Sequence, residues 1–329
     1  MKTKIHLPTP ANLRRLAADL RRGGLVGMPT ETVYGLAADA LNAPACRAIF
    51  KAKGRPTHDP LIVHVLDLAH AEQLAAFNPQ ARKLARAFWP GPLTLVLPKK
   101  ACVPDIVTAG RKTVAIRSPA HPLARRLLRL SGVPLAAPSA NLFGYVSPTE
   151  AAHVVAGLDG KIPSVLDGGP CRVGVESTIL DLTDPARPRI LRPGAVTTAE
   201  LEKSLRVKIA TRPAARPAKS KRAAGLIAPG LLPQHYSPHT KLLIKRSWTQ
   251  LPADVAGIHL RRPDRRPAPN VHWLSRRGAL AEVARNLYRV LRAADESGHR
   301  QIWIEALPAD SGGLAAAIND RLKRAAAKR

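Results

Sequence analysis

The chain has 329 residues, 45% of them hydrophobic, so it can bury a sizeable core and is long enough for two domains. Lys and Arg total 52 against 23 Asp and Glu, a formal net charge of +29, which favours anionic partners such as nucleotides, RNA or acidic membrane surfaces. A compositional bias towards Ala, Arg and Pro explains the same balance, so charge alone does not select a partner.

The three cysteines lie far apart without CxxC spacing, which excludes a disulfide framework and a zinc site and fits a reducing cytoplasm. The start, MKTKIHLPTP, lacks the apolar segment of a secretion signal, and no apolar run approaches the ~20 residues of a transmembrane helix. We therefore expect a cytoplasmic protein that does not contact membranes.

Elements of both kinds alternate along the first part of the chain. Leucines at helical spacing predict a helix over residues 11–22, which ends at two glycines. Further helices are predicted near 43–53, 121–130 and from Pro148 to about 156, and strands at LVGM (25–28), LIVHV (61–65), LTLVL (93–97), TVAIR (113–117), VPLAAP (133–138), SVLDG (164–168), TILDL (178–182) and RILR (189–192). This mixture predicts one α/β domain.

The segment RVKIATRPAARPAKSKR (206–222) has seven basic residues and no acid, a composition typical of a linker. A second group of elements follows it: strands KLLI (241–244), VAGIHL (255–260), VHWL (271–274) and QIWIEAL (301–307), and helices over 279–294 and 312–325. Strands followed by helices predict a small domain built on a parallel, Rossmann-like sheet.

Two basic or hydroxyl-rich stretches lie near predicted strands early in the chain. MPTETVYGLAADA (28–40) contains Thr32, and open α/β sheets bind ligands at strand ends; the alternative is a capped turn that opens a helix. FKAKGRPTHDPLIVHV (50–65) presents Lys53 and Arg55 around Gly54, a mixture of cations suited to polyphosphates. The alternative for the second stretch is a solvated basic helix end.

Later stretches repeat this chemistry. AAPSANLFGYVSPT (136–149) offers Ser139, Asn141 and Ser147, which can surround a phosphate or simply form a turn. Arg117 and Arg192 each end an apolar strand, where an arginine needs a carboxylate or phosphate partner. These strand ends predict a site that holds anions and small polar molecules.

Motifs for covalent catalysis are absent from the sequence. It contains no GxSxG elbow, no GxxxxGK[ST] phosphate loop and no GxGxxG fingerprint. His64 lies within an apolar strand and, on that ground, is expected to be a core histidine.

The motifs PTETVYGL, AKGRP…PLIVHV, WPGPLTLVLP, TVAIRSP, APSAN…SPT, GGP…GVESTILDL and RPGAV occur in this order over residues 6–197. Together they resemble the YrdC-type L-threonylcarbamoyladenylate synthases, and APGLLPQHYSP with the domain after it resembles the long, two-domain form. The resemblance implies a twisted open sheet with a basic cleft over 6–197, an interdomain linker over 198–238 and a C-terminal α/β domain over 239–327.

The reaction implied by the resemblance joins L-threonine, bicarbonate and ATP into L-threonylcarbamoyladenylate and releases pyrophosphate. Mg²⁺ is expected with ATP, and a separate transferase would carry the product to tRNA; weak RNA contact is a further expectation. By resemblance, threonine would be held by Thr32, His64, Arg117, Ala137 and Ser177. ATP would be held by Lys53, Arg55, Asp59, Thr113, Ser139, Asn141, Ser147, Arg192 and Tyr236, with Asp59 standing where the family usually has Asn.

Two other readings of the sequence stay open. A double-stranded-RNA or tRNA binding protein fits the net charge, but aromatics are only 4% of the residues and no RNA-recognition motif is present. A carbamoyl-transfer enzyme of hydrogenase maturation shares the domain type, but it would add cysteine-rich zinc modules that this sequence lacks.

Overall fold

The computed structural model describes residues 2–211, 226–232, 234–264, 267–308 and 312–327. Residues 212–222 of the predicted linker therefore lie outside the described residues. Within the described ranges, no helix is long and apolar enough to cross a membrane.

The strands of the first sheet are β1 (Lys4–His6), β2 (Val26–Met28), β3 (Gly35–Asp39), β4 (Ile62–His64), β5 (Leu93–Pro98), β6 (Thr113–Arg117), β7 (Leu135–Ala136), β8 (Ser164–Leu166), β9 (Thr178–Asp181), β10 (Arg189–Arg192) and β11 (Ala210–Thr211). Their order is β1-β8-β2-β3-β7-β4-β6-β5-β9-β10-β11, with parallel and antiparallel pairs. The helices of this part are α1 (Pro10–Arg21), α2 (Ala43–Lys53), α3 (Leu68–Glu72), α4 (Pro79–Phe88), α5 (Asp105–Thr108), α6 (Pro122–Ser131), α7 (Ala151–Leu158) and α8 (Thr198–Leu205). The predicted open α/β sheet is confirmed.

Helix α2 brings the basic stretch to the sheet. The Asn42 side chain accepts a hydrogen bond from the Ala45 amide at the start of α2, and Gly54 ends the helix with φ +61°. Glycine adopts this left-handed backbone conformation without steric cost, and the conformation turns the chain sharply towards Arg55 and β4. Lys53, the last residue of α2, is therefore directed into the protein, where it is buried.

The second sheet contains β12 (Lys241–Lys245), β13 (Val255–Arg261), β14 (Val271–Ser275) and β15 (Gln301–Glu305). All its pairs are parallel, in the order β12-β15-β13-β14. Helices α9 (Leu280–Glu296) and α10 (Leu314–Ala325) pack on the face that carries Ile302 and Ile304. The predicted small Rossmann-like domain is confirmed.

The two parts of the chain share a core. Val33, Val146 and Val175 of the first part belong to one buried cluster with residues of α9, such as Leu287 and Tyr288. This cluster is apolar and buried. Each Å² of apolar surface that it removes from water stabilises the contact between the two parts of the chain by ~25 cal/mol.

Three elements differ from the sequence-based expectation. Residues 35–39 form strand β3 and no helix opens there, because β3 pairs with both β2 and β7. Residues 198–205, which the resemblance places in the interdomain linker over 198–238, form α8 with a capping box between Thr197 and Glu200. The short strand β11 then pairs with β10. The domain boundaries as such stay a prediction.

Candidate active site

A cavity of about 50 Å³ lies between the first sheet and residues Pro229, Gly230, His235 and Tyr236. Its walls include nine residues that the sequence predicted for a site: Thr32, Arg55, His64, Arg117, Ala137, Ser139, Ser177, Arg192 and Tyr236. The structure therefore brings together strand-end side chains that are distant in the sequence, including all five that the resemblance assigns to threonine.

Arg117 dominates one end of the cavity. Its guanidinium lies 2.6 Å from the carboxylate of Glu31, donates to the Thr32 hydroxyl at 2.9 Å and donates to the Gly91 carbonyl at 3.2 Å. Burial raises the pKa of Glu31, but the charge and hydrogen bond of Arg117 together with backbone hydrogen bonds outweigh burial, so the net pKa is lowered. The strand-end arginine thus has a carboxylate partner, as its burial requires.

Hydroxyl groups line the opposite wall. The Ser177 and Thr94 hydroxyls are 2.7 Å apart, and Arg192 donates to the Ser177 carbonyl at 3.1 Å and to its hydroxyl at 3.2 Å. Arg192 ends β10, and Ser177 immediately precedes β9, its antiparallel neighbour. This pairing fixes a cation beside a hydroxyl in a site that excludes bulk water.

Lys53 and Arg55 approach the cavity from the end of α2. Lys53 Nζ donates to the carbonyl oxygens of Ser139 and Asn141, and burial, followed by the charge of Arg55, lowers the pKa of Lys53. Arg55 donates to the carbonyls of Asp59 at 3.0 Å and Pro60 at 2.8 Å, and its guanidinium lies 3.0 Å from the Asp59 carboxylate. Lys53 thereby fixes the small-residue loop that presents Ser139.

Five of the nine predicted ATP residues do not line the cavity: Lys53, Asp59, Thr113, Asn141 and Ser147. Asp59 faces Arg55, and Thr113 begins β6 at the same end of the sheet as Asp59, because β4 and β6 are parallel. Within the described residues, the buried Thr113 hydroxyl and the Asn141 side-chain carbonyl have no hydrogen-bond partner. Ser147 donates to Glu176 at 2.7 Å. The role of these residues in ATP binding stays a prediction.

Tyr236 covers the cavity. Its side chain is 1% exposed, and the Arg321 guanidinium lies 5.2 Å from the centre of its ring. Gly230 makes this closure possible: it has φ +75°, and a Cβ there would lie 2.7 Å from the Tyr236 hydroxyl and 2.9 Å from Arg192. Tyr236 is therefore packed against side chains from both parts of the chain, Arg192 of β10 and Arg321 of α10.

Glu176 links the cavity wall to the second sheet's helices. It accepts hydrogen bonds from the Ser147 hydroxyl at 2.7 Å, the Tyr288 hydroxyl at 2.8 Å and Arg321 Nε at 2.7 Å. Burial raises the pKa of Glu176, but the charges of Arg321 and then Arg192 outweigh it and lower the pKa to about 2. The carboxylate is ionised and shared by both parts of the chain.

His64 is neutral in this environment. Burial, followed by the charge of Arg117, lowers the pKa of His64 to about 3. The ring nitrogen Nδ1 is 3.3 Å from the Ile62 carbonyl. His64 is therefore buried, as expected for a core histidine in an apolar strand, and it also borders the cavity.

The site offers little to hold a metal by itself. Among the described residues, no group of three or more His, Cys, Asp or Glu side chains could hold a metal ion. The nearby carboxylates of Glu31, Asp59 and Glu176 each face an arginine. These three carboxylates are therefore each paired with a cation of the protein.

Comparison with known proteins identifies the family. The Sua5/YciO/YrdC model, described as telomere recombination, matches residues 18–194, and the model of the threonylcarbamoyl-AMP synthase C-terminal domain matches residues 196–327. The chain belongs to the Sua5/YciO/YrdC family, in its two-domain threonylcarbamoyl-AMP synthase form.

Relatives in this family match nearly the whole chain. Threonylcarbamoyl-AMP synthase of Pyrococcus abyssi is 41% identical over 96% of this chain and 94% of its own length, and that of Bacillus subtilis is 40% identical over 96% and 93%. The crystal structure of P. abyssi Sua5 complexed with L-threonine has a TM-score of 0.87 and 37% identity, and the match covers 98% of both chains. The expected family and two-domain organisation are therefore confirmed.

Sequence reasoning missed two acidic side chains of the site. Glu31 lies between the two threonines of PTET, and Glu176 immediately precedes Ser177 in GVEST. An acid within a motif of small and apolar residues is a signal that the residue is buried and paired, since an unpaired buried carboxylate is costly. The sequence does not show, however, that the partner of Glu176 comes from a helix of the second domain.

Proposed function

We propose that this chain converts L-threonine, bicarbonate and ATP into L-threonylcarbamoyl-AMP and pyrophosphate within the cavity under Tyr236. The observation that supports the site is the convergence of Arg55, Arg117 and Arg192 with the hydroxyls of Thr32 and Ser177 around one enclosed space. Three buried guanidinium groups and several hydroxyls suit a carboxylate at one end and phosphates at the other.

The two substrates take opposite ends of the site in this proposal. Threonine binds between Thr32, His64, Arg117, Ala137 and Ser177, and its carboxylate competes with Glu31 for the Arg117 guanidinium. ATP lies along Arg55, Asp59, Thr113, Ser139, Asn141, Ser147 and Arg192, with Lys53 and Tyr236 on either side. The buried side-chain oxygens of Thr113, Asn141 and Tyr236 have no hydrogen-bond partner among the described residues, which supports binding of the nucleotide on this side.

The proposed reaction depends more on positioning its reactants than on covalent catalysis. The threonine amine attacks the bicarbonate carbon and water leaves, which gives a carbamate. A carbamate oxygen then attacks the α-phosphorus, and pyrophosphate leaves as its bond to that phosphorus breaks. Both reactants are anionic, so Arg55, Arg192 and Lys53 lower their mutual repulsion and stabilise the charge on the leaving group. Holding two reactants in a well-aligned geometry supplies up to ~7–11 kcal/mol. MgATP delivers the metal, and no side-chain nucleophile is needed.

The product's use lies outside this chain. A threonylcarbamoyl-adenylate is an activated acyl donor, so we propose that a separate transferase passes it to tRNA, as the family assignment supports. The alternative of an RNA-binding protein without an activity is distinguished by the same experiment as the reaction itself.

That experiment measures pyrophosphate release from ATP with threonine and bicarbonate omitted in turn. We expect release only when both are present, at a rate that does not depend steeply on salt. Pyrophosphate release without threonine, or cleavage of ATP to ADP, would contradict the proposal. Control reactions with serine in place of threonine test whether the pocket at Arg117 and His64 recognises the β-methyl group.

A further inference from the structure

The chain's tryptophans are concentrated on one face of the second sheet. Of the four tryptophans, Trp248, Trp273 and Trp303 belong to the second part of the chain. Side chains alternate along a strand, and because Ile302, Ile304, Ile258 and Leu274 are buried under α9 and α10, Trp303, Trp273 and His259 lie on the opposite face. We call Trp248, Trp273, Trp303 and His259 the tryptophan face.

This face has no helix on it within the described residues. The loop that follows β12 covers part of it, since a Cβ at Gly257 would lie 2.8 Å from Leu251 and 3.3 Å from Trp248. Trp248 packs against His259 with ring centres 4.6 Å apart, and Trp273 and Trp303 are only partly buried. Flat aromatic surface therefore remains in contact with solvent.

Cations border this face along one edge of the sheet. Since all four strands are parallel, their carboxyl ends meet there, and open parallel sheets bind ligands at that edge. Three of the strands end in basic pairs or are followed by them, a set we call the basic edge: Lys245, Arg246, Arg261, Arg262, Arg276 and Arg277.

Few acids offset these charges. Asp264 lies 3.3 Å from Arg261, but both are well exposed, and Glu305 is engaged by His259 at 2.6 Å. Glu282 accepts hydrogen bonds from the Ser275 hydroxyl at 2.6 Å and from the Arg276 amide at 3.3 Å. In the described part of the chain, the side chains of Arg246, Arg276 and Arg277 have no hydrogen-bond or ion-pair partner and are exposed. The basic edge is therefore complementary to a polyanion.

Cations and aromatic rings also contact one another directly. Arg262 lies 5.3 Å from the centre of the Trp273 ring, and Lys245 lies 4.6 Å from that of Trp303. Nucleic-acid single strands are recognised by this combination: phosphates bind to cations while unpaired bases stack on aromatic rings or guanidinium planes.

We propose that the tryptophan face and basic edge together bind a single-stranded segment of RNA, with phosphates on the arginines and bases against Trp273 and Trp303. The choice of RNA over other polyanions rests on the proposed function, whose product is consumed on tRNA. An acidic protein would satisfy the arginines but would leave the aromatic rings without a matching partner.

The test uses the full chain and a labelled single-stranded RNA of about 12 nucleotides, a length within the range such sites cover. Fluorescence anisotropy gives Kd over a series of salt concentrations for the wild type, for R276E/R277E and for R126E/R129E. The last pair changes the same charge on the exposed surface of α6 in the first domain. We expect R276E/R277E to weaken binding at least tenfold and to lower the salt slope by about two, and R126E/R129E to weaken binding less than twofold.

Stacking is tested separately with Trp273→Leu, which keeps an apolar side chain in place. We expect at least fivefold weaker binding of the single strand, the lower range for loss of one stacked base. Equal weakening by both arginine pairs, no effect of Trp273→Leu, or equally tight binding of duplex RNA or single-stranded DNA would overturn the proposal. So would a dimer that dissociates in R276E/R277E while RNA binding is retained, because the occupant would then be a second copy.

Pyrophosphate release separates this inference from the proposed function. R276E/R277E should turn over ATP, threonine and bicarbonate at the wild-type rate, because the basic edge takes no part in the cavity. Loss of RNA binding with full turnover supports the inference, while wild-type RNA binding in R276E/R277E overturns it even if the enzyme activity is as proposed.

Discussion

Arg321 Nε lies 2.7 Å from the Glu176 carboxylate, so a guanidinium from the last helix of the second domain is bound to the wall of the first domain's cavity. Both side chains are buried, at 1% and 6% exposure. The same carboxylate accepts the Ser147 hydroxyl, a predicted ATP contact. The second domain thus helps to fix the orientation of a group in the candidate site.

Replacing Glu176 should therefore affect both stability and catalysis. Glu176→Gln removes the buried carboxylate that faces Arg321 Nε and leaves Arg321 paired with Asp320 at 2.6 Å. We expect the free energy of unfolding to fall by up to ~3–5 kcal/mol in urea denaturation. Tyr288→Phe removes one hydrogen bond to the same carboxylate and should cost ~1.5–3 kcal/mol. Tyr145→Phe, which loses a similar bond to the half-buried Asp295, is the control and should cost less. Equal costs for the two tyrosine variants would show that burial of Glu176 adds nothing.

Lys53 is expected to be required for turnover. Lys53→Ala removes the cation that joins α2 to the Ser139 loop, and pyrophosphate release should fall about a hundredfold or more. Lys51→Ala, two residues earlier on the exposed surface of the same helix, should keep wild-type rates. Circular dichroism should show both variants folded. Wild-type turnover by Lys53→Ala would refute the assigned role.

Asp59 should weaken ATP binding relative to the asparagine usual in the family. Its carboxylate lies 3.0 Å from Arg55, and in the proposed binding mode it would repel the ATP phosphates. We expect Asp59→Asn to lower the KM for ATP about fivefold, which corresponds to ~1 kcal/mol, with a smaller change in kcat. Asp105→Asn, which removes an exposed carboxylate paired with Lys99, serves as the control in the same initial-rate measurements. An unchanged or higher KM in Asp59→Asn would contradict this account.

Neutral His64 should make the fold acid-sensitive. Its pKa falls from 6.5 to about 3 on folding, so between these values the unfolded chain binds the extra proton. Stability contributed by the neutral ring is therefore present above pH 6.5 and lost as pH falls towards 3, with a limiting slope of ~1.4 kcal/mol per pH unit. Urea denaturation at several pH values should show a shallower acid decline for His64→Gln. Parallel pH curves for the two proteins would contradict it.

Local patterns in the sequence predicted most elements well. Helix α2 and strand β6 have the predicted bounds, because apolar periodicity, prolines and glycines mark both ends. Strand β3 was missed because GLAAD consists of residues with weak strand propensity, and only its pairing with β2 and β7 makes it a strand. Tertiary contacts of this kind leave no local signal.

In the candidate site, too, the sequence predicted residue types but not the contacts that depend on the fold. Strand-end cations and hydroxyls were visible as residue types, and Arg117 could be expected to need an anion. That the anion is Glu31 follows only from the fold, since Glu31 lies in the loop between β2 and β3 and meets Arg117 at the end of β6. The cluster of Glu176, Tyr288 and Arg321 depends on the docking of two domains, which no spacing in one chain segment reveals.

A chamber of about 50 Å³ is far smaller than the ~300–1,000 Å³ of ordinary small-molecule pockets. In the proposed binding mode, nucleotide enters this chamber when Gly230 and Tyr236 move away from it, and that movement separates Tyr236 from Arg321 and from the Tyr288 ring, whose centre is 5.8 Å away. Each turnover must then open and reseal part of the seam between the domains. Weaker packing of α10 would speed product release. It would also expose the product, a labile mixed anhydride, to water.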